Sequence, residues 1–336
     1  MYQGRVAACL RWERKRVKEG DCLKDRFRRC RFGIITAVVL VLFTTYALLD
    51  VFVIPRTYSV VDDSGRKNQT TVTVTPGAAE GSVTPGENAT PTGPVITDNS
   101  YRDENISVEI REYRVKDTNV YVADVQLSSP EYLRSAFAQS AYGRNVTDTT
   151  SAIAADVNAI LAINGDFYGA RNTGFVVRNG VIYRRMKSDE EGLAMYEDGH
   201  FEVIDESSVS ADRLVKDGAV QVWSFGPGLV KDGKIAVTTG EEVGRALESN
   251  PRTAIAYVGE NHYMFVVADG RTSENDGLSL YELAEFLESL GVQTAYNLDG
   301  GGSSTMVFLG KVVNNPTTGG RKIKERSVSD IVYIGY

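Results

Sequence analysis

Cysteine is nearly absent from this chain of 336 residues. There are three, Cys9, Cys22 and Cys30, and none follows residue 30. The remainder folds without disulfides, and neither a cysteine nucleophile nor a thiolate metal site exists there. Small secreted animal domains usually depend on disulfides, so the lack points to a bacterium. Histidine is scarcer: His200 and His262 stand in unrelated contexts with no metal-ligand spacing. That removes the basis for a zinc hydrolase or a Ser-His-Asp triad. A hydrolase built from this chain works with carboxylates, which suits glycosidic chemistry. A nucleotide P-loop is missing too, because no lysine follows the glycine run as G-x-x-x-x-G-K-[ST] requires.

Charge is divided rather than scarce. Residues 1–33 hold eleven Lys and Arg against four Asp and Glu, a net +7, so the rest of a chain totalling −7 carries −14. No nucleic-acid partner is expected of so acidic a remainder. Between the two zones lies one long apolar run, Ile34–Ile54, with Asp50 its only charge. As a helix it spans roughly 30 Å, the depth of a bilayer core. Arg28, Arg29 and Arg31 precede it directly. The positive-inside bias then predicts a single-pass protein of the cell membrane, N-terminus cytoplasmic and the C-terminal portion extracellular. A cleaved signal peptide would have a shorter apolar region and a small-x-small site, which Phe52-Val53-Ile54-Pro55 does not offer.

Four segments result: a basic cytoplasmic segment 1–33, a transmembrane helix 34–54, a linker 55–100 and a folded domain 101–336. Four of the nine prolines fall in the linker between residues 64 and 100, among threonines and glycines with little apolar surface to bury. Such a composition predicts a disordered stalk.

From Tyr101 the pattern becomes that of a folded domain. Ile106–Val115 and Asn119–Leu127 read as a hairpin, and Glu131–Ala141 and Thr150–Asn158 have helical spacing. Ala159–Asn164 is a short apolar strand, and Asn179-Gly180, Asp198-Gly199 and Asp232-Gly233 mark turns between extended runs. Thr253–Gly259 and Tyr263–Asp269 form another pair. Ser279–Leu290 is a helix, with Ser279 and Glu282 as its capping box and Gly291 at its end. The fold class expected is a mixed α/β (α+β) domain: a mixed β-sheet with flanking helices.

Chemistry concentrates at four strand ends, the usual place for sites carried on a rigid scaffold. Asn164-Gly165-Asp166 leaves the first apolar strand, and reads equally as an Asx turn. Arg252, in Asn250-Pro251-Arg252-Thr253, offers a planar fork for a phosphate or carboxylate, or else a surface ion pair. Asp269-Gly270-Arg271 closes another strand, as a turn or as part of a site. Asn297-Leu298-Asp299-Gly300-Gly301-Gly302-Ser303-Ser304 ends the fourth. Three adjacent glycines weaken regular structure by roughly 0.5–1 kcal/mol each relative to alanine. Amide groups free to form an anion-binding nest explain them better than a flexible hinge.

These stretches, with Gly226-Pro227-Gly228 and the helix ahead of the last, resemble the phosphodiester glycosidase family over about residues 150–335. The resemblance implies hydrolysis of a bond between a sugar anomeric carbon and a phosphate, in a cell-envelope or exopolysaccharide glycan. On that reading Asp166, Asp299, Asn164 and Asp269 are catalytic candidates, with Asp166 or Asp299 the nucleophile or base. Arg252, Arg271, Asn297, Gly300, Gly301, Gly302, Ser303 and Ser304 are candidates for holding the substrate. The same acidic strand ends suit Ca²⁺ or Mg²⁺. Two other functions stay open: a phosphodiesterase that breaks the P–O bond with such a metal, and a non-catalytic module binding a wall polymer.

Overall fold

A computed structural model describes residues 34–61, 93–240, 249–320 and 322–336. The basic segment 1–33 and most of the linker lie outside the described residues. The chain divides into two units, Met1–Pro55 and Arg56–Tyr336. In the first, a helix covers Ile34–Phe52, 19 residues of mean hydropathy 2.2, long and apolar enough to cross a membrane.

The second unit is built from antiparallel sheets and few helices. Its largest sheet has nine strands, in spatial order Lys234–Ile235, Gly228–Lys231, Thr294–Asn297, Arg252–Gly259, His262–Ala268, Thr118–Leu127, Ile106–Val115, Ser100–Arg102 and Val95–Ile96. A five-stranded sheet runs Lys311–Val312, Met306–Phe308, Leu161–Asn164, Asp330–Ile334, Leu133–Phe137. Another runs Val181–Arg184, Val176–Arg178, Ala219–Trp223, Glu191–Tyr196, Phe201–Asp205. Each pairing between these strands is antiparallel, where the sequence suggested a single mixed sheet.

Alternation explains the hairpin at the centre of the long sheet. Ile106, Val108 and Ile110 are buried while Glu109 and Arg111 face outward, and a two-residue turn at Lys116-Asp117 joins Val115 to Thr118. Asn179-Gly180 and Asp232-Gly233 are tight turns with positive φ at both residues, the backbone a right-twisted hairpin needs.

The two faces of the long sheet bury different partners. Ile255, Phe265, Val267 and Tyr296 pack with Leu161, Ile163 and Val332 of the second sheet and Leu193 and Trp223 of the third. Ala254, Ala256, Val266 and Ala295 pack against Leu280, Leu283, Ala284 and Leu287 of the helix Leu280–Ser289. That helix begins at the Ser279–Glu282 capping box, with both reciprocal hydrogen bonds formed. Cutting Leu283 back to alanine would remove roughly 2–5 kcal/mol from this layer.

Two local expectations are corrected. Glu131–Ala141 is no helix. Pro130–Tyr132 forms one tight turn, and Leu133–Phe137 then pairs along its whole length with Asp330–Ile334. A helical apolar pattern of that length lost to the cross-strand ladder. Arg56–Val60, assigned to the linker, is a strand paired with Ala141–Arg144, and Tyr58 packs on Tyr142 with ring centroids 5.8 Å apart. Val95–Ile96 and Ser100–Arg102 likewise extend the long sheet ahead of residue 101.

Candidate active site

The strands Leu161–Asn164, Arg252–Gly259 and Thr294–Asn297 bring three of the four motifs together at one end. Asn164 is the junction. Its amide Nδ2 donates to the Asp299 carbonyl at 2.6 Å, and its Oδ1 accepts from Thr253 Oγ1 at 2.9 Å and the Thr305 amide at 3.2 Å. A fully buried carboxamide with these bonds is a clamp on neighbouring loops.

Asp166 is also fully buried. It accepts from the amides of Tyr168 (3.2 Å) and Ser224 (2.8 Å), and its Oδ2 lies 2.9 Å from Arg178 Nη2. Arg178 turns its Nε and Nη2 to Asp330, which leaves one cation between two buried carboxylates. Burial chiefly, reinforced by Asp166 and opposed by Arg178, pushes Asp330 up to about 7. Burial tends to lower Arg178, and the two carboxylates outweigh it and raise the guanidinium further. Gly165 is required beside this triad, because a β-carbon there would collide with Asp330 Oδ1.

Asp299 has a different setting. It sits at the base of the Gly301–Ser303 turn, only 7% exposed, and Arg326 Nη2 donates to its Oδ2 at 2.7 Å. Burial raises Asp299, against the pull of Arg326, Ser303 and Arg171. Arg326 also donates through Nε to Ser303 Oγ at 2.8 Å and through Nη2 to the Gly300 carbonyl at 3.2 Å, and its backbone amide reaches Gly302 at 3.1 Å. Arg271 also approaches the turn, and its Nη2 would be 2.9 Å from a β-carbon on Gly301. Gly301 has φ 62°, a left-handed backbone closed by its amide on the Pro251 carbonyl at 2.8 Å. Two arginines thus approach the glycine turn.

Arg271 is oriented by Asn250, whose Oδ1 accepts from its Nε at 3.2 Å and its Nη2 at 2.8 Å. Burial lowers Arg271, and repulsion from Arg326 and Arg252 adds to it while Asp299 opposes. Like charges crowded beside one carboxylate are a costly arrangement, of the kind kept where an anion binds. Arg252 is nearer the interior, 3% exposed, its Nε donating to the Leu278 carbonyl at 2.8 Å. Asp269 has partners in a separate loop. It anchors the loop at Asn314 and Asn315, accepting from both side chains (3.0 and 3.2 Å) and from the Asn315 amide (2.9 Å). Asn297 Nδ2 donates to the Gly226 carbonyl at 2.7 Å. Among the described residues, Asn297 Oδ1 and Ser304 Oγ are buried without hydrogen-bond partners.

Five functional candidates were not singled out from the sequence: Arg171, Arg178, Phe225, Arg326 and Asp330. Arg326 and Asp330 flank the start of the final strand, and a basic run followed by a carboxylate there was the available signal. Phe167 adds a conformational sign, a bulky residue at φ 64° beneath Arg326, whose guanidinium carbon is 5.6 Å from the ring centroid. Among the described residues no three His, Cys, Asp or Glu side chains gather to hold a metal ion. Asp166, Asp269 and Asp299 are separately engaged by Arg178, by the Asn314–Asn315 loop and by Arg326.

The family model for phosphodiester glycosidase matches residues 157–335, which contain every residue of this site. A protein of Bacillus subtilis, the SPbeta prophage-derived uncharacterized protein YomE, is 30% identical over 208 residues, 59% of this chain and 31% of that one. The N-acetylglucosamine-1-phosphodiester alpha-N-acetylglucosaminidase of Mus musculus is 30% identical over 176 residues, 47% of this chain and 33% of the enzyme. The chain therefore spans about a third of the length of these curated relatives. In fold it is similar to the zebrafish N-acetylglucosamine-1-phosphodiester alpha-N-acetylglucosaminidase catalytic domain. The TM-score is 0.54 at 20% identity, over 69% of this chain and 83% of that domain. On the match of its family model over more than half its length, the chain belongs to the phosphodiester glycosidase family.

Proposed function

We propose that this protein hydrolyses a sugar-1-phosphodiester at the bond between the anomeric carbon and the phosphate oxygen. N-acetylglucosamine is the sugar suggested by the mammalian relatives' names. One observation carries the reading: Arg326 bonds Asp299 at the base of the Gly301–Ser303 turn, and the guanidinium of Arg271 approaches the same turn at Gly301. Arg271 and Arg326 hold the phosphate, and Arg252 sets the field behind them. Asp299 works at the anomeric carbon. A water oxygen bonds to that carbon, its proton passes to the carboxylate, and the C–O bond breaks with its electron pair leaving on the phosphate. A phosphomonoester is a stable leaving anion, so no strong general acid is needed. Burial raises Asp299, which makes its carboxylate a stronger base toward the water proton. Asp166, fully buried and ion-paired, shapes the loop beneath the site.

The full chain in detergent, incubated with a panel of sugar-1-phosphodiesters in ¹⁸O water, tests this. Label in the released sugar and loss of turnover in Asp299→Asn are expected. Label in the phosphate would establish P–O cleavage, the metal-assisted alternative. Binding without release would leave a wall-polymer module.

The helix Ile34–Phe52 supports a single-pass anchor, and Arg28, Arg29 and Arg31 ahead of it favour an exported catalytic domain acting on cell-envelope glycan. Protease added to intact protoplasts should remove the domain. Protection of the domain while the N-terminus is cut would reverse the topology.

A further inference from the structure

Two arginine–phenylalanine pairs adjoin Asp299. Arg326 lies over Phe167, and Arg171 lies over Phe225 with its guanidinium carbon 4.6 Å from the ring centroid. One short segment supplies a member of each. Phe167 precedes the turn Tyr168–Ala170, and Arg171 follows it, its amide donating to the Tyr168 carbonyl at 3.1 Å. The first pair is engaged, since Arg326 bonds Ser303, Asp299 and Gly300. In the second, the Arg171 guanidinium donates to no side chain or carbonyl among the described residues, although it is half-buried. Its charge nevertheless acts on Asp299.

Charge counting gives this arrangement a direction. Arg326 bonds the carboxylate of Asp299, and the charges of Arg171 and Arg271 also interact with it. A single phosphodiester adds one negative charge, which leaves one positive charge unmatched. Stacking on Phe225 restrains the Arg171 fork while leaving its N–H edge open, the state in which a guanidinium binds an oxyanion with least loss of freedom.

We propose that Arg171 and Phe225 form a second anionic subsite beside Asp299, which takes the next phosphate along a phosphate-linked glycan. This rests on the phosphodiester glycosidase reading of the Asp299 site. The substrate class is thereby narrowed from any sugar-1-phosphodiester to a chain of them, with the neighbouring phosphate anchoring the polymer while the bond at Asp299 is cut.

The test compares two probes on the full chain and on Arg171→Gln. One is the methyl diester of N-acetylglucosamine-1-phosphate, with one charge. The other is a synthetic trimer of N-acetylglucosamine joined through phosphodiesters and ending in the same methyl diester. The ratio of kcat/KM for trimer over single diester should fall roughly tenfold or more in the variant. The wild-type preference for the trimer should also weaken with added salt more steeply than the variant's. A ratio within about threefold of wild type overturns the subsite. Thermal midpoints of both proteins check the fold, and Arg171→Lys, which keeps the charge and loses the fork, should lower the ratio by less than Arg171→Gln. If wild type cleaves neither probe, the catalytic reading fails. The subsite is then decided by equilibrium binding of the trimer, with roughly tenfold weaker binding in Arg171→Gln supporting it and unchanged binding overturning it.

Discussion

Arg178 places both Nε and Nη2 on a single carboxylate oxygen of Asp330, at 2.9 and 2.8 Å, with 1% of one side chain exposed and none of the other. Because Asp166 shares the same Nη2, removing the guanidinium leaves two buried carboxylates opposed with no cation between them. Arg178→Met should destabilise the domain by roughly 3–5 kcal/mol, the usual result of breaking a buried pair from one side. Urea unfolding measures it. A loss under about 1 kcal/mol would mean that the triad relaxes or hydrates when cut.

The same triad makes stability depend on pH. An ordinary aspartate releases its proton near 3.8, whereas burial holds Asp330 up to about 7. Between those values the folded state keeps a proton that the unfolded chain has lost. Stability from this group therefore falls as pH rises through that window. Unfolding midpoints should drop between about pH 4 and pH 7, and Asp330→Asn should flatten that slope. An unaltered slope in the variant would assign the dependence to other groups.

Arg326 and Arg252 should respond differently to lysine. Arg326→Lys keeps the charge but loses the fork that joins Ser303 to Asp299. A decrease of roughly two to three orders of magnitude in kcat/KM is expected, with little change in unfolding midpoint, since its side chain is 39% exposed. Arg252→Lys should lower both activity and midpoint, because its Nε also secures the Leu278 carbonyl from a buried position. Equal midpoints for the two variants would place Arg252 in the site alone.

Gly301→Ala introduces a methyl 2.9 Å from Arg271 Nη2 on a backbone at φ 62°. The strain should lower the folding free energy by roughly 1 kcal/mol or more. Displacement of Arg271 should lower kcat/KM by at least about tenfold, more than that loss in the fold explains. Steady-state kinetics beside a denaturation curve separates the two effects.

The sequence revealed some parts of this arrangement and concealed others, for physical reasons. The hairpin at Ile106–Leu127 and the helix after Ser279 were legible because alternation and a capping box are local signals. The strand Leu133–Phe137 was hidden, since its identity comes from a partner nearly two hundred residues later, Asp330–Ile334. In the site, the glycine turn and Asp299 could be read as a unit from spacing. Arg326 could not, because its value lies in reaching back to Asp299 and Ser303 from the far end of the chain. Asp166 could be read as a site carboxylate or as an Asx turn, and its Tyr168 contact is the turn, while its enclosure by Arg178 and Ser224 is tertiary and had no local signal.

The strand Arg56–Val60 changes what the Thr/Pro-rich segment can do. Its pairing with Ala141–Arg144 places residue 60 inside the same folded unit that Val95 re-enters. Both ends of the intervening stretch are therefore fastened to one folded unit. The covalent connection between helix and catalytic unit is then the few residues after Phe52, and a soluble fragment cut at residue 101 would bare the backbone edge of Ala141–Arg144, an invitation to self-association that starting at Arg56 avoids.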